Sequence, residues 1–306
     1  MRAALAAPPA EGRAEAVTPL VEFAPAKINL TLAVRERRAD GFHELESLVA
    51  FASIGDELRL APGPGLSLEV KGEFADEAGP GEANLVLKAS QALARRLPGL
   101  RFGCFFLEKR LPVAAGLGGG SADAAAALRL AARLNGLAPD GEALVGAAQE
   151  TGSDVPVCLA LGSRVMRGRG EILGPALVTP PFHAVLVNPR ERLETTRVFA
   201  TLAAHRRSPP LGAFAAPHPG ATPAEWLAAI AAHGNDLEAP ASALAPAIGA
   251  ARRRLAAASG CSLARLTGSG ATMVGLFEHA AAATAAASAI ASEHPTWWVR
   301  DVTLGG

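Results

Sequence analysis

The sequence predicts a chain of mixed strand and helix, β-rich first and helical later, long enough for two domains. Three observations carry this. At 306 residues the chain is on the order of two domains long. Its first third alternates apolar and polar residues with period two. From residue 116 onward a glycine-rich loop opens into alanine-rich helical patterns separated by short apolar runs.

In chain order, residues 1–20 contain Arg2, Glu11, Arg13 and Glu15 and no continuous apolar stretch. They read as a loose N-terminal tail and not as a signal peptide. A strand pattern begins at Val21–Phe23, and Ile28–Val34 alternates. Arg35–Asp40 is a charged turn, with Asp40-Gly41 a strong turn dipeptide. Leu45–Phe51 and Asp56–Leu60 read as two short strands, Pro62–Gly65 as a turn, and Leu66–Val70 as another strand. Asn84–Arg96 is helical and stops before Pro98-Gly99. Arg101–Lys109 is a strand, Ser121–Leu134 and Asp140–Glu150 are helices, and Val155–Leu161 is an apolar run. A second region begins near the Gly- and Arg-rich segment Arg167–Pro175. There His183–Val187 is a strand, and Pro209–Pro223 is a mobile surface loop. Ala224–His233, Ala241–Ala258 and Ala280–Ser292 are helical, and Leu263–Leu266, Met273–Phe277 and Trp297–Val302 are strands. The expected division is a tail over 1–20, a first domain over 21–170 and a second over 171–306.

Composition narrows the function classes. Half the residues are hydrophobic and 19% are charged, which suits buried cores and argues against disorder. Lys+Arg and Asp+Glu both number 29, so no basic excess points to nucleic acid. Neither does any run reach the roughly 18 apolar residues of a membrane span. A small-molecule partner, no nucleic acid, no membrane and a cytoplasmic location are the expectations. Cys104, Cys158 and Cys261 are isolated and form no zinc spacing, so no metal site is expected, and they read as small buried hydrophobes. The abundance of Ala reads as compositional bias.

The stretch Leu111–Leu128 is the most informative. It places four glycines within five residues, 116–120, immediately before a helical pattern. Glycine lets a ligand approach the backbone, and a helix start offers unpaired N–H groups and partial positive charge. Together they form an anion cradle, and a phosphate is the anion it suits. Ser121 and Asp123 read as helix-starting residues. The segment lacks the Gly-Lys-Ser/Thr of a Walker loop and fits the Rossmann fingerprint poorly.

Four further constellations admit two readings each. Lys27 and Asn29, two apart on a strand, share a face that is either a polar site or simply solvated. Phe42 and His43 follow a turn and either stack on a ring ligand or pack ordinarily. Asp154, at the corner Gly152-Ser153-Asp154-Val155-Pro156, is either a general base toward a hydroxyl or a helix cap. Leu266–Met273 either closes over a phosphate or connects two strands. A cradle, a strand Lys and a corner Asp together make a phosphoryl-transfer kit.

At these residues the chain resembles the GHMP kinase superfamily. The matching motifs are Pro25–Leu30, Asp40–Leu45, Leu111–Ala127, Gly152–Pro156, Asn235–Glu238 and Leu266–Ala271, in the family's order. The Lys-Ile-Asn strand and the Asp-Gly-aromatic-His-Glu turn resemble the branch that phosphorylates the 2-hydroxyl of 4-diphosphocytidyl-2-C-methyl-D-erythritol in isoprenoid precursor synthesis. The resemblance implies an α+β, two-domain fold, ribosomal-S5-like first and ferredoxin-like second, with ATP and acceptor meeting in the cleft. It implies ATP with Mg²⁺, a cytidine-diphosphate-linked methylerythritol as acceptor, and a monomer or weak homodimer. Carried over, Asp154 is the catalytic base and Lys27 its partner. Asn29 lies near the transferred phosphate, and Lys109 near the adenosine. Pro112, Val113, Ala114, Ala115, Gly116, Leu117, Gly118, Gly119, Gly120 and Ser121 wrap the ATP phosphates. His43 pairs with the cytosine edge, and Phe42 and Phe199 sandwich the ring. Phe42 stands where Tyr is common, keeping the stacking face and losing the hydroxyl. Other acceptors (mevalonate, homoserine, a sugar) and a non-catalytic nucleotide-binding protein are the alternatives.

Overall fold

The computed structural model describes residues 19–39, 41–79, 81–202 and 212–305. Asp40, the tail up to residue 18 and the first residues of the expected loop at 209–223 lie outside them. Strands β1 (Leu20–Asn29), β2 (Ala33–Arg37) and β3 (His43–Gly63) start the chain. β3 is one strand of 21 residues, not the two short ones expected. At Gly55 the strands approach closely: a Cβ there would lie 2.3 Å from the Ala24 carbonyl oxygen. β2 likewise continues through Arg35–Arg37, where a turn was expected.

β3 organises the sheet. Its C-terminal half pairs with β1 on one side and β5 (Phe102–Glu108) on the other. Before β5 come β4 (Ser67–Lys71) and helix α1 (Leu85–Arg96), and β4 runs parallel to β5 across that helix. The Asn84 side chain caps α1 by accepting from the Val86 N–H. Helices α2 (Gly119–Asn135), α3 (Glu142–Thr151) and α4 (Val155–Ala160) complete this layer. In α2, Ala122 and Ala124–Ala127 are buried between α1, α4 and β1. Their alanines are therefore packing as well as composition, because small side chains let a helix be covered on several sides.

The Arg167–Pro175 segment, expected to open the second region, forms hairpin β6 (Arg164–Gly168) and β7 (Ile172–Leu173), and β6 pairs with the N-terminal half of β3. Strand β8 (Phe182–Asn188), helices α5 (Thr195–Thr201), α6 (Pro223–Ala231), α7 (Glu238–Leu244) and α8 (Pro246–Ala256), strands β9 (Cys261–Leu266) and β10 (Met273–Phe277), helix α9 (Ala280–Glu293) and strand β11 (Trp298–Leu304) follow. Pro246 splits the helix expected over 241–258. The strand order β11-β8-β10-β9, all antiparallel, with helices packed against it, is the ferredoxin-like arrangement that the resemblance implies. Leu304 of β11 pairs with Ala52 of β3 and joins the two sheets. The segment before α6 departs from a mobile surface loop: Phe214 is buried and its N–H donates to Glu46 Oε1 at 2.6 Å. Among the described residues, no helix is long and apolar enough to cross a membrane.

Candidate active site

The site starts where β1 slips its register against β3 between Pro25 and Lys27. Pro25 cannot donate to a ladder, so a bulge forms and re-aims the residues after it. The Lys27 N–H then donates to the Leu117 carbonyl at 2.8 Å, tying the strand to the glycine loop. Lys27 and Asn29 are buried, not solvated. The Lys27 ammonium donates to Asn29 Oδ1 at 2.9 Å and lies 2.9 Å from Asp154 Oδ2. One of its three N–H donors is left for a ligand. The Asn29 amide is oriented by Ser47, whose Oγ accepts at 2.7 Å and whose hydroxyl donates to the Thr31 carbonyl. Asp154 begins α4 by position but makes no side-chain cap bond, so the cap reading does not hold. Its side chain is 32% exposed and faces a cavity of about 910 Å³.

The glycine loop borders that cavity and a second one of about 310 Å³, and Ala114, Gly116, Gly118 and Ser121 line both. Pro112, Val113, Ala115, Gly119 and Gly120 line the smaller one, whereas the Leu117 side chain is buried in the core. Helix α2 begins at Gly119, earlier than expected, with left-handed Gly118 as its cap (φ +62°). A Cβ on Gly118 would press the Lys27 side chain at 3.1 Å. The first helical bond runs from Ala122 N–H to Gly118 O, so the N–H groups of Gly119, Gly120 and Ser121 have no helical carbonyl to reach. These are the donors of an anion cradle.

Residues from the C-terminal half hold the loop from behind. Thr272 Oγ1 donates to the Ala115 carbonyl at 2.6 Å, and Thr267 Oγ1 to Gly116 O at 3.3 Å. A Cβ on Gly116 would lie 2.4 Å from the Thr267 carbonyl oxygen. The Leu266–Met273 turn is thus both a strand connection and a wall of the loop. Asn235 fixes it, donating to the Leu266 and Gly268 carbonyls at 2.9 and 2.8 Å.

Lys109 borders the smaller cavity, but its ammonium is held between two buried carboxylates, Asp56 Oδ2 at 2.6 Å and Asp123 Oδ2 at 2.7 Å. Asp56 Oδ1 also accepts the Arg110 and Leu111 N–H groups at 2.6 and 2.9 Å. The triad therefore clamps the entry of the loop to the first turns of α2. Burial, with the neighbouring Asp56 carboxylate, outweighs Lys109 and pushes the Asp123 carboxyl up to about 8. Burial alone would lower the Lys109 ammonium, but Asp123 and Asp56 together hold it above its ordinary value. Asp123 is a clamp residue and not the helix-starting residue expected.

At the far end of the larger cavity, His43 stacks on Phe199 with ring centres 5.0 Å apart and planes 24° apart. No third ring fits between them at that distance. Phe42 is half exposed, with the Arg169 guanidinium 5.0 Å from its ring centre. Cys158, beneath Asp154, is inert: burial, and then the Asp154 charge, push its thiol up to about 12.

Comparison with known proteins fits this geometry. Residues 84–162 match the GHMP kinases N terminal domain, and residues 220–296 the GHMP kinases C terminal domain. A 4-diphosphocytidyl-2-C-methyl-D-erythritol kinase from Rhodopseudomonas palustris is 51% identical over 95% of this chain and 99% of its own length. One of the same description from Methylobacterium radiotolerans is 53% identical over 94% of this chain and all of its own. The chain belongs to the 4-diphosphocytidyl-2-C-methyl-D-erythritol kinase family of GHMP kinases. A crystal structure of a 4-(cytidine 5'-diphospho)-2C-methyl-D-erythritol kinase superimposes with a TM-score of 0.75 at 34% identity, covering 94% of this chain and all of that one. A homoserine kinase from Cytophaga hutchinsonii, at 17% identity and TM-score 0.69, shares the fold.

The motifs of a GHMP kinase do not mark Asp56, Ser47 or Arg169. Asp56 is an unmarked strand carboxylate whose meaning depends on register. β3 and β5 pair with Glu57 opposite Glu108, which leaves Asp56 opposite Lys109. Ser47 and Thr267 orient Asn29, one through its side chain and one through its backbone N–H, at 2.7 and 2.8 Å.

Proposed function

We propose that this protein transfers the γ-phosphoryl group of ATP to the 2-hydroxyl of 4-diphosphocytidyl-2-C-methyl-D-erythritol. The observation that carries this reading is the position of Lys27 and Asp154. They line the larger cavity beside the glycine loop, where the two cavities share their walls. In this reading the smaller cavity takes ATP, its phosphates lying over the N–H groups of Gly119–Ser121. The larger takes the acceptor, with its base at Phe42, His43 and Phe199 and its polyol at Asp154. Asp154 accepts the proton of the attacking hydroxyl, and Lys27 pairs with it and donates its remaining N–H to the reacting oxygen or the phosphoryl group. Asn29 holds Lys27 in line and turns its second amide hydrogen toward the transferred phosphate. Lys109 acts from beneath, by fixing the loop around the adenosine side of the cavity.

The loop presents backbone donors and the Ser121 hydroxyl, a set that suits phosphate oxygens. Mg²⁺ brought by ATP would be held by those phosphates with the Ser121 hydroxyl as the loop's own ligand, and would neutralise charge on the transferring phosphoryl group. For the base to enter beside Phe199, His43 swings off that ring and offers its nitrogens to the cytosine edge. The unit boundary is proposed near 170, in the turn that joins β6 to β7. In this reading the protein is a monomer or weak homodimer, and two water-soluble phosphate esters as substrates suit the cytoplasm.

The test is ADP release with MgATP and a panel of acceptors. Turnover is expected with the cytidine-diphosphate-linked methylerythritol and not with mevalonate, homoserine or galactose. Turnover with one of the latter, and none with the former, would overturn the acceptor assignment while leaving a kinase.

A further inference from the structure

The acceptor proposed above carries two phosphates between its base and its reacting polyol. The cation of the reacting centre, Lys27, is already engaged by Asn29 and Asp154. Two further cations line the cavity: Arg37, whose Nε donates to the Gly41 carbonyl at 3.4 Å, and Arg169. The turn after β6 places Arg169 between two left-handed glycines, Gly168 (φ +73°) and Gly170 (φ +124°). A Cβ on Gly170 would lie 2.8 Å from the Ser153 carbonyl oxygen and 3.6 Å from Asp154 Oδ1, so this turn is pressed onto the catalytic corner. From there the Arg169 side chain reaches out, and its guanidinium lies 5.0 Å from the centre of the Phe42 ring. Arg169 lines the cavity, with its backbone turn against the catalytic corner and its guanidinium against Phe42.

Its charge is weakly countered. Among the described residues, the carboxylate it approaches is Glu171, at 4.0 Å. One oxygen of Glu171 is taken by the Arg169 backbone N–H at 2.5 Å. Neighbouring Arg167, by contrast, is paired with Glu46 at 2.9 Å. A guanidinium laid face-on against a ring keeps its in-plane N–H fork free, and that fork matches two phosphate oxygens.

We infer that Arg169 holds the diphosphate of the acceptor, with its face on Phe42 and its fork on the phosphate oxygens; the inference rests on the acceptor proposed above. It makes Arg169 a specificity residue for nucleoside-diphosphate-linked substrates, and it couples base stacking to placement of the polyol. Recognition of the diphosphate predicts that the nucleotide part alone, CDP, competes with the acceptor far better than cytidine.

The experiment compares inhibition by CDP and by cytidine, competitive toward the acceptor, in the wild type, Arg169→Gln and Arg169→Lys. In Arg169→Gln the CDP inhibition constant and the acceptor KM are expected to rise about ten- to a hundredfold, cytidine inhibition to change little, and the ATP KM to stay put. Arg169→Lys should fall between, since it keeps the charge and loses the fork. Equal weakening of CDP and cytidine would mean that Arg169 only props Phe42, and unchanged CDP inhibition would mean that it contacts neither; both overturn the inference alone. A wild type that neither uses this acceptor nor is inhibited by CDP would overturn the acceptor assignment and the inference together.

Discussion

Substituting Asp154 by Asn separates chemistry from folding in this site. The change keeps the side-chain shape and leaves an amide oxygen that can still accept from Lys27, now 2.9 Å away. It removes the charge and the proton-accepting oxygen. Asp154 makes no cap bond to α4 and its side chain is one-third exposed, so little of the fold depends on it. The main structural cost is the buried Lys27 ammonium, left with neutral partners, at about 1–2 kcal/mol. A positioned base contributes roughly 10²–10⁴ in rate. At about 1.4 kcal/mol per tenfold, the barrier should rise by roughly 3–5 kcal/mol. The assay pairs steady-state turnover with calorimetric ATP binding. The expected result is kcat reduced about a thousandfold, with ATP affinity within about threefold of wild type. Turnover within tenfold of wild type would refute the assignment of Asp154 as base. Loss of ATP binding along with turnover would show that the residue instead supports the cradle.

Further outcomes follow from the same geometry. Lys109→Met leaves the Asp56 carboxylate buried beside Asp123 without its counter-charge and should lower unfolding stability by about 3–5 kcal/mol in denaturant titrations, with Lys109→Met/Asp123→Asn milder than the single change. The folded state holds a proton on Asp123, raised to about 8 from 3.8 by burial, that the unfolded chain releases. Stability from this group is therefore full at low pH and lost as pH rises from about 4 to about 8, and Asp123→Asn should flatten that slope in urea midpoints taken between pH 5 and 8. Gly118→Ala forces a side chain into a left-handed position and against Lys27, and should cost about 1–2 kcal/mol and most of kcat. Gly116→Ala, with its Cβ 2.4 Å from a backbone oxygen, should be worse and lose folded yield. Phe199→Ala removes one face of the base site and should raise the acceptor KM while leaving the ATP KM alone, read from initial rates.

Much of this was legible because local sequence carries its own geometry. The glycine loop is followed at once by a helix, and the backbone donors of a helix start go with the pattern wherever it folds. The period-two spacing of Lys27 and Asn29 places them on one strand face, and the pair proves to be hydrogen-bonded. What escaped depends on partners distant in sequence. Asp154 could not be told from a cap until Lys27, 127 positions earlier, was found beside it. Asp56 and Lys109 gain meaning from the register of β3 against β5. Gly55 gives no sign in one dimension of the strand contact it makes in three. The Arg169 turn reads as a charged, glycine-rich linker until its glycines are seen pressed on the catalytic corner. The alanines of α2 look like bias until the helix is found covered by neighbouring elements.

The central claim is tested most directly by a single-turnover experiment with enzyme in excess over γ-labelled ATP, in the presence of 4-diphosphocytidyl-2-C-methyl-D-erythritol, with the product examined by NMR. The account predicts that the label moves stoichiometrically to the 2-hydroxyl of the acceptor, and that it stays on ATP with Asp154→Asn. Label appearing as inorganic phosphate, or on another hydroxyl, would contradict it.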